Sequence, residues 1–412
     1  MAFDFGCDEK LLSVSEHSDV KRWPTNGEMV ALFDADTIPY IVGFTSTEFE
    51  YLQFKRAKFP FESDTWKSKI SHASFIINST LAAHNCDAAL FYLTDSFKNF
   101  RLAIGTCKEY KGQRRQEKPP FFQELKDWIR SYHQAKMSNL CEADDEISME
   151  AWRRHAAFAK EHGVDALFTD MHRKFCGFKI LSQDKDLNII PGLHGNIGKD
   201  ADPLNEIWVD RIGWLEPKYK DSEVNDYEYW PVFNGKELNP KHLFALITRE
   251  HGIVPAAYNQ LKEEEIGWEK NHIWYTLDAK GVAREQDTVT RGARKGEGKY
   301  KRIGVGKKIK QNIDKLKGAG LLFFYTQIIM GDAVDNYPGI PGCGPKKAFD
   351  ILDGCTDEYE MYIKVLTAYR DYYRKSDKAL TMLTEQGQLA WLQTKKFELW
   401  EPPTKEKGSF PL

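Results

Sequence analysis

The sequence predicts an α/β protein whose core is a parallel β-sheet. Short apolar runs at 29–33, 88–93 and 178–182 have the composition of strands that are buried on both faces. A helical pattern at 65–86 separates the first two runs, and aspartate follows every run. The repeated order of apolar strand and acidic residue is the observation from which the rest of the interpretation starts.

Aspartates stand at the predicted strand tips. Asp34 follows the first run, Asp95 the second, and Asp184 and Asp186 the third. Open α/β sheets place their ligand sites at the carboxyl ends of the strands, so these side chains are candidate site residues. Each of them alone could equally be an ordinary strand-end or turn residue.

A second acidic group opens a predicted helix that runs from 141 to about 162. Glu142, Asp144 and Asp145 fall in its first turn, where acids normally complement the helix dipole. Three acids in four positions exceed what capping requires, and they repel one another. A divalent cation would remove that repulsion.

A third acidic group lies in the stretch 329–348. Asp332 and Asp335 precede a glycine-rich hairpin at 339–344, and a predicted helix at 345–352 carries Lys346 and Lys347 near its start. Exposed amides at a helix N-terminus and two lysines favour phosphate binding. The alternative interpretation is an ordinary Gly/Pro turn between helices.

Two stretches are strongly basic. Residues 97–118 combine lysines and arginines with interleaved aromatics, which suits nucleic-acid contact by Lys108, Tyr110 and Arg115. Residues 291–317 combine basic residues with glycines and predict a flexible basic loop. A solvated charged loop is the alternative in both cases.

The composition limits the class of protein. The chain has 412 residues, a net charge of -3 and seven dispersed cysteines without a CxxC pair. A length of this order allows two or three domains, and dispersed cysteines favour a reducing compartment over a disulfide framework. We find no apolar run of membrane-spanning length and no signal-peptide pattern, so we expect a cytoplasmic protein without a membrane partner.

The recurrence of acids is more informative than any one of them. A carboxylate cluster without histidine or cysteine selects Mg²⁺ or Mn²⁺ over zinc. With so many acids, two ions fit the two-metal mode of phosphodiester hydrolysis. We find no motif for covalent catalysis and no P-loop. The candidate ligands are Asp34, Asp95, Glu142, Asp144, Asp145, Asp184, Asp186, Asp332 and Asp335.

Five motifs in order resemble those of the flap-endonuclease-like 5′→3′ nucleases, and most closely the podovirus-type phage 5′→3′ exonucleases. The resemblance covers about 28–200 and 319–400. The motifs are LFDAD at 32–36, TDSFKNFR with EYKGQR at 94–101 and 109–114, EADD at 142–145, SQDKDL at 182–187, and GDAVDNYPGIPGCGPKKA at 331–348.

The resemblance implies a fold and a division of the chain. It implies a PIN-like parallel sheet core at 28–204 with a helical arch at about 96–135, and a helix-three-turn-helix with a C-terminal helical region at 319–412. Residues 1–27 are then an N-terminal extension, and 205–318 are an inserted α+β region. Within the insertion, the residue pattern itself predicts a helix at 243–250 and a hairpin at 273–285. The insertion would extend the DNA track, bind a phage replication protein, or only decorate the fold.

The resemblance also implies residue roles. Asp34, Asp95, Glu142 and Asp144 would hold one metal ion. Asp145, Asp184, Asp186 and Asp332 would hold the other ion or its water molecules, with Asp335 in support and Asp36 as an uncertain extra. Lys111, Arg114 and Arg101 would steer the scissile phosphate. The hairpin glycines Gly339, Gly342 and Gly344 would grip the duplex with Lys346 and Lys347, and a K⁺ ion could bind at the hairpin.

The predicted function is a Mg²⁺-dependent 5′→3′ exonuclease acting on double-stranded DNA with a 5′ end, and on RNA–DNA hybrids. If the chain is phage-encoded, it would act in the cytoplasm of an infected host cell. The alternatives are a structure-specific flap endonuclease, a non-catalytic DNA-binding replication protein, and a PIN-type ribonuclease. Duplex binding by the helix-three-turn-helix stretch argues against the last of these.

Overall fold

A computed structural model describes residues 28–95, 99–113, 117–233, 235–237, 244–248, 272–277, 283–285, 287–374 and 377–411. The chain divides into two units, one formed by Met1–Lys218 with Ile313–Leu412 and the other by Tyr219–Asn312. The proposed extension at 1–27 lies outside the described residues. None of the described helices is long and apolar enough to cross a membrane.

The first unit is built on a six-stranded, mostly parallel sheet. Its strand order is β3-β2-β1-β4-β5-β6, and only the pairing of β5 with β6 is antiparallel. The strands are β1 Val30–Asp34, β2 Ala88–Leu93, β3 Lys136–Met137, β4 Phe178–Leu181, β5 Gly192–Gly195 and β6 Ile207–Val209. The prediction of a mixed α/β fold around a parallel sheet is confirmed.

Helices cover both faces of this sheet. The helices before β6 are α1 Thr37–Phe44, α2 Glu48–Arg56, α3 Asp64–Ala83, α4 Arg101–Ile104, α5 Phe122–Tyr132, α6 Ala143–His162 and α7 Asp170–Phe175. All five residues of β1 are buried, as a central parallel strand requires. Ala31 and Phe33 share a core with side chains of α3 and α5, whereas Val30 and Leu32 share another with α6.

The arch segment is only partly helical. Of the described residues at 96–135, those in α4 and α5 are helical, and 105–113 and 117–120 form turns and extended segments. Arg114 and Arg115 lie outside the described residues.

Four C-terminal helices form a second core in the same unit. They are α8 Gly320–Met330, α9 Pro345–Leu352, α10 Glu358–Tyr372 and α11 Lys378–Ala390. Nearly every residue of α8 is buried, because α9, α10 and α11 all pack around it. The helix predicted at 345–352 is confirmed with the same bounds.

The described part of the inserted region is β-structure. Its strands are β7 Trp214–Phe233, β8 Lys236–Glu237, β9 Phe244–Thr248, β10 His272–Leu277, β11 Ala283–Glu285 and β12 Tyr300–Ala319. The antiparallel pairing of β10 with β11 confirms the predicted hairpin. The helix predicted at 243–250 is wrong for its described residues, since Phe244–Thr248 is a strand paired with β10. Periodicity does not separate strand from helix in so short an apolar run.

The basic stretch 291–317 is also not simply a flexible loop. From Tyr300 onwards it belongs to β12, which pairs with β7. Lys307 and Lys308 lie 2.6 and 2.7 Å from the carboxylates of Glu223 and Asp226. The acidic partners of these lysines lie about eighty residues away in the sequence. The composition of 291–317 alone therefore does not reveal that its lysines form ion pairs.

Candidate active site

The carboxyl edge of the sheet carries the first group of acids. Asp34 is the last residue of β1. Asp184 lies just after β4, the strand that pairs with β1 in parallel. Asp34 is buried, and its Oδ2 accepts a hydrogen bond of 2.7 Å from Ser182 Oγ. The Asp184 N–H donates to the same Ser182 Oγ at 2.8 Å. One serine therefore ties the tips of two strands together.

Uncompensated negative charge concentrates here. Burial, together with the charges of Asp36 and Asp184, raises the pKa of Asp34 to about 7. Asp144, in the first turn of α6, has a pKa well above its ordinary value because of burial and the charges of Asp184, Asp34 and Glu142. The charge of the exposed Asp184 thus acts on two poorly solvated carboxylates, Asp34 and Asp144, which also repel each other.

A second group of acids adjoins the first through Asp184. Burial, and the charges of Asp184, Asp332 and Asp335, raise the pKa of Asp186 to about 7. Gln327 of α8 donates a hydrogen bond of 2.5 Å to Asp186 Oδ1. A helix of the C-terminal core therefore orients a carboxylate at the sheet edge.

Asp332 is stabilised in its charged form. Burial opposes ionisation, but Lys185 Nζ donates to Asp332 Oδ2 at 2.9 Å, and the N–H groups of Val334 and Asp335 donate to Oδ1 at 2.6 and 3.2 Å. The net effect is a lowered pKa for Asp332. Lys185 also lies 3.8 Å from Asp186, so its ammonium group acts as an internal cation between two acids.

Lys111 plays a similar part for Glu142 and Asp335. Its Nζ pairs with Glu142 Oε1 and lies 3.9 Å from Asp335 Oδ1, and its N–H donates to the Asp335 carbonyl at 3.0 Å. Burial opposes ionisation of Glu142, but Lys111, Arg101 and Tyr110 lower its pKa. Lys111 has a left-handed backbone with φ of 56°. The predicted site residues Lys111, Glu142 and Asp335 therefore meet.

Tyr110 does not present its ring to solvent. It is buried, and its hydroxyl lies 3.0 Å from Glu142 Oε2 and 2.8 Å from Asp335 Oδ2. The prediction that Tyr110 contacts DNA is therefore wrong, because its ring packs in the C-terminal core while its hydroxyl braces two acids. Lys108 is exposed, as a contact residue would be.

Arg101 and Asp145 form a structural pair. Nη1 and Nη2 of Arg101 donate to Asp145 at 2.7 and 2.8 Å. Nη2 also donates to the Trp391 carbonyl, and Nε donates to the Leu389 carbonyl. Both side chains are buried, Asp145 completely. Asp145 also accepts from the N–H groups of Glu142 and Gln393. The predicted phosphate-steering role of Arg101 and the predicted metal-ligand role of Asp145 both disagree with this geometry. The guanidinium group and the carboxylate are already hydrogen-bonded to each other and to backbone groups of the protein.

Two further predicted acids lie at the same edge. Asp95 is exposed after β2, and its N–H donates to Ser138 Oγ at 2.9 Å. Asp36 accepts from the Thr94 N–H at 2.9 Å and lies 3.4 Å from Lys126 Nζ. Asp36 therefore joins the loop after β1 to the loop after β2.

The glycine-rich stretch forms a tight, internally braced loop. Asp332 and Tyr337 exchange two backbone hydrogen bonds, and the Gly339 N–H donates to Gln386 at 3.0 Å. A Cβ at Gly339 would lie 2.3 Å from the backbone of Gly331. Gly342 and Gly344 have open space around them, and Lys346 pairs with Asp350 on its own helix. Lys347 is exposed and has no ion pair within the described residues.

Gly339→Ala is expected to lower the free energy of unfolding by on the order of 2–3 kcal/mol. The cause is a positive φ of 58° combined with backbone atoms where the new Cβ would stand. Urea denaturation measures the change. Gly344→Ala is the matched control, because φ there is -96° and nothing lies within 4 Å. Equal effects of the two substitutions would contradict the role assigned to Gly339.

The raised pKa of Asp34 predicts how pH affects stability without metal. Since the folded chain protonates Asp34 near pH 7 and an unfolded chain near pH 4, the folded state binds more protons between these values, and rising pH weakens it. Asp34→Asn removes this effect. The melting temperature of the variant minus that of wild type, in EDTA, is expected to increase from pH 5 to pH 7.5.

A difference measurement is needed because buried histidines act in the opposite direction. Burial lowers the pKa of His133, His172 and His194 to about 4, so stability gained from them rises with pH up to about 6.5. They are common to both proteins and cancel in the difference. A difference that stays constant or shrinks with pH would contradict the raised pKa of Asp34.

The donor set suits a hard divalent cation. The acids supply carboxylate oxygens without cysteine or histidine, and three of them have raised pKa values that a cation would reverse. Among the described residues, no three His, Cys, Asp or Glu side chains are already arranged around one ion position. Lys111 and Lys185 occupy part of the space between the acids instead.

Three residues at this site were not singled out from the sequence. Ser182 and Lys185 lie inside the SQDKDL motif, so their position beside Asp184 was a usable signal. No sequence signal pointed to Gln327, because its approach to Asp186 depends on how α8 packs.

Fold and site together define an α/β protein with an acidic cluster at the carboxyl edge of its sheet. No protein-family model matches the chain, and no curated protein matches it. Three solved structures align with it at a TM-score of 0.39: the T5 D15 protein co-crystallized with metal ions, a lysine-to-alanine mutant of the T5 5′-exonuclease, and the T5 5′-exonuclease with bound zinc. Their identities are 12, 14 and 12%; each alignment covers 89% of this chain and 90, 89 and 90% of the other.

Proposed function

We propose that this protein is a flap-endonuclease-like, divalent-metal-dependent 5′→3′ exonuclease acting on double-stranded DNA. The observation that carries the proposal is the convergence of five acids from four distant segments. Asp34, Asp144, Asp184, Asp186 and Asp332 influence one another's ionisation although they are as much as 298 residues apart. Repulsion on this scale has no structural use, whereas it suits cation binding.

The proposed ligands follow from which acids remain available. Asp34, Asp95, Glu142 and Asp144 would hold one Mg²⁺ or Mn²⁺ ion, and Asp184, Asp186 and Asp332 the other, with Asp335 in support. Asp145 is withdrawn, because Arg101 and two backbone amides already occupy its oxygens. Bound ions would supply a hydroxide nucleophile and stabilise the leaving oxygen.

The chain's own cations would position the substrate. The Lys111 side chain is 22% exposed and stands beside Glu142 and Asp335, so its ammonium group can turn from them to a phosphate oxygen. Lys108, Lys347 and the amides at Gly342 and Gly344 would contact the duplex backbone, and a K⁺ ion at the hairpin would add a further contact. RNA–DNA hybrids are proposed as a second substrate, and a replication protein as a partner of 205–318.

The test is a cleavage assay with 5′-labelled DNA. A duplex with a recessed 5′ end and a duplex with a 5′ flap are incubated with the protein in Mg²⁺, in Mn²⁺ and in EDTA. We expect short labelled products in either metal and none in EDTA. Release of the whole flap with no short products would identify a flap endonuclease instead, and DNA binding without cleavage in any metal would leave only a binding protein.

A further inference from the structure

A cavity of 360 Å³ lies beside the acidic cluster, within the first unit. It is bordered on one side by Asp184 and Lys185, and on the others by the ends of β5, β6, β7 and β12. Asp184 therefore belongs both to this cavity and to the proposed catalytic centre. A volume of this order is at the lower end of small-molecule pockets, which suits one nucleotide and excludes a duplex.

Three asparagine side chains line the cavity without a protein partner. Asn188, Asn196 and Asn205 make no side-chain hydrogen bond to any part of the chain that the structure describes. Each amide offers both a donor and an acceptor. Two other polar side chains of the lining are engaged, since Gln183 donates to the Ile197 carbonyl at 2.9 Å and His194 Nε2 lies 2.7 Å from the Ile190 carbonyl.

The rest of the lining is aromatic, aliphatic and basic. Trp214, at the start of β7, is partly exposed, and Phe323 and Leu316 add apolar surface. Lys317 is exposed at the same cavity and has no ion pair within the described residues. Indole stacking, amides that read a base edge, and a lysine for phosphate are the elements that recognise an unpaired nucleotide.

We propose that this cavity binds one unpaired nucleotide of the nucleic-acid strand whose neighbouring phosphate lies at the acidic cluster. The base stacks on Trp214, its edge pairs with Asn188, Asn196 or Asn205, and its phosphate lies near Lys317. The inference rests on the proposed function for the identity of the strand. It adds a binding site separate from the acids, which would determine how the terminal nucleotide is held during cleavage.

The test measures binding in EDTA, where cleavage is absent. One probe is a duplex with a single unpaired 2-aminopurine nucleotide at its 5′ end, and the other is free 2-aminopurine deoxyribonucleoside 5′-monophosphate. Stacking on an indole quenches 2-aminopurine fluorescence. We expect saturable quenching of the duplex probe, a dissociation constant raised at least tenfold by Trp214→Ala, and one raised about fivefold by Asn188→Ala.

Trp208→Phe is the matched control. Trp208 stands on β6 close to the cavity but is not among its lining residues, and it packs against His172 with ring centroids 5.6 Å apart. Quenching by this variant should equal that of wild type. Thermal melting shows whether Trp214→Ala is folded, and Asn188→Ala tests the site independently through a polar change that removes no packing aromatic ring.

The outcomes separate this site from the proposed function. Unchanged quenching in both Trp214→Ala and Asn188→Ala, or no saturable quenching, would overturn the nucleotide site even if Mg²⁺-dependent cleavage is present. Binding of the free monophosphate alone would overturn the assignment to a strand. Quenching that depends on Trp214 in a protein that cleaves no DNA would support the nucleotide site and contradict the exonuclease proposal.

Discussion

Asp184→Asn is expected to lower Mg²⁺-dependent DNA cleavage by at least about 10²–10³-fold. Asp184 is the acid through which both groups at the sheet edge interact, because its charge raises the pKa values of Asp34, Asp144 and Asp186. Asparagine has nearly the same shape but lacks the charge that would hold a divalent cation. The measurement is the initial rate of release of short 5′ products at saturating duplex.

The same substitution is expected to leave the metal-free protein at least as stable as wild type. Asp184 is exposed, and replacing it removes repulsion from three poorly solvated acids. Activity that falls while stability holds or rises is typical of a functional site, where charge is retained at a cost to the fold. Thermal melting in EDTA provides this second readout.

Asp165→Asn is the control for the loss of one surface charge. Asp165 is exposed in a short helix at Val164–Ala166, remote in sequence from every acidic motif. Cleavage by this variant should match that of wild type. If Asp184→Asn retained full activity in Mg²⁺, the acidic cluster would not be the catalytic centre.

The strand-tip aspartates could be predicted because their position depends on local pattern. A buried apolar run predicts a central parallel strand, and such strands direct their carboxyl ends to one edge, so Asp34 and Asp184 follow from β1 and β4. The glycine-rich loop before α9 was likewise predictable from turn residues and a proline at the helix start.

The roles of Asp144 and Asp145 could not be separated in the same way. Successive residues of a helix point about 100° apart, so only one of the two aspartates can face the sheet edge. The EADD motif does not indicate which of them does so. The choice is made by Arg101, which reaches Asp145 from 44 positions away. The DNA contact predicted for Tyr110 was wrong because it, too, depends on tertiary packing. An aromatic residue among basic residues is typical of a nucleic-acid contact, but the ring of Tyr110 is buried in the C-terminal core.

Arg101→Met is expected to lower the free energy of unfolding by about 3–5 kcal/mol. The substitution leaves Asp145 as a buried carboxylate without its cation and removes the donors to the Leu389 and Trp391 carbonyls. Methionine keeps much of the volume, so the cost is mainly electrostatic. Urea denaturation in EDTA measures the change.

The double variant Arg101→Met/Asp145→Leu separates a structural role from phosphate steering. Removing both charges abolishes the unpaired carboxylate, so part of the lost stability should return, although the Glu142 and Gln393 amides still lose their acceptor. Cleavage per folded molecule, measured at low temperature, should stay within a few-fold of wild type in both variants. The contrary result would be an Arg101→Met variant with unchanged stability and a KM for duplex DNA raised tenfold. That result would assign Arg101 to substrate binding, because a cation that steers a phosphate contributes to binding and not to the fold.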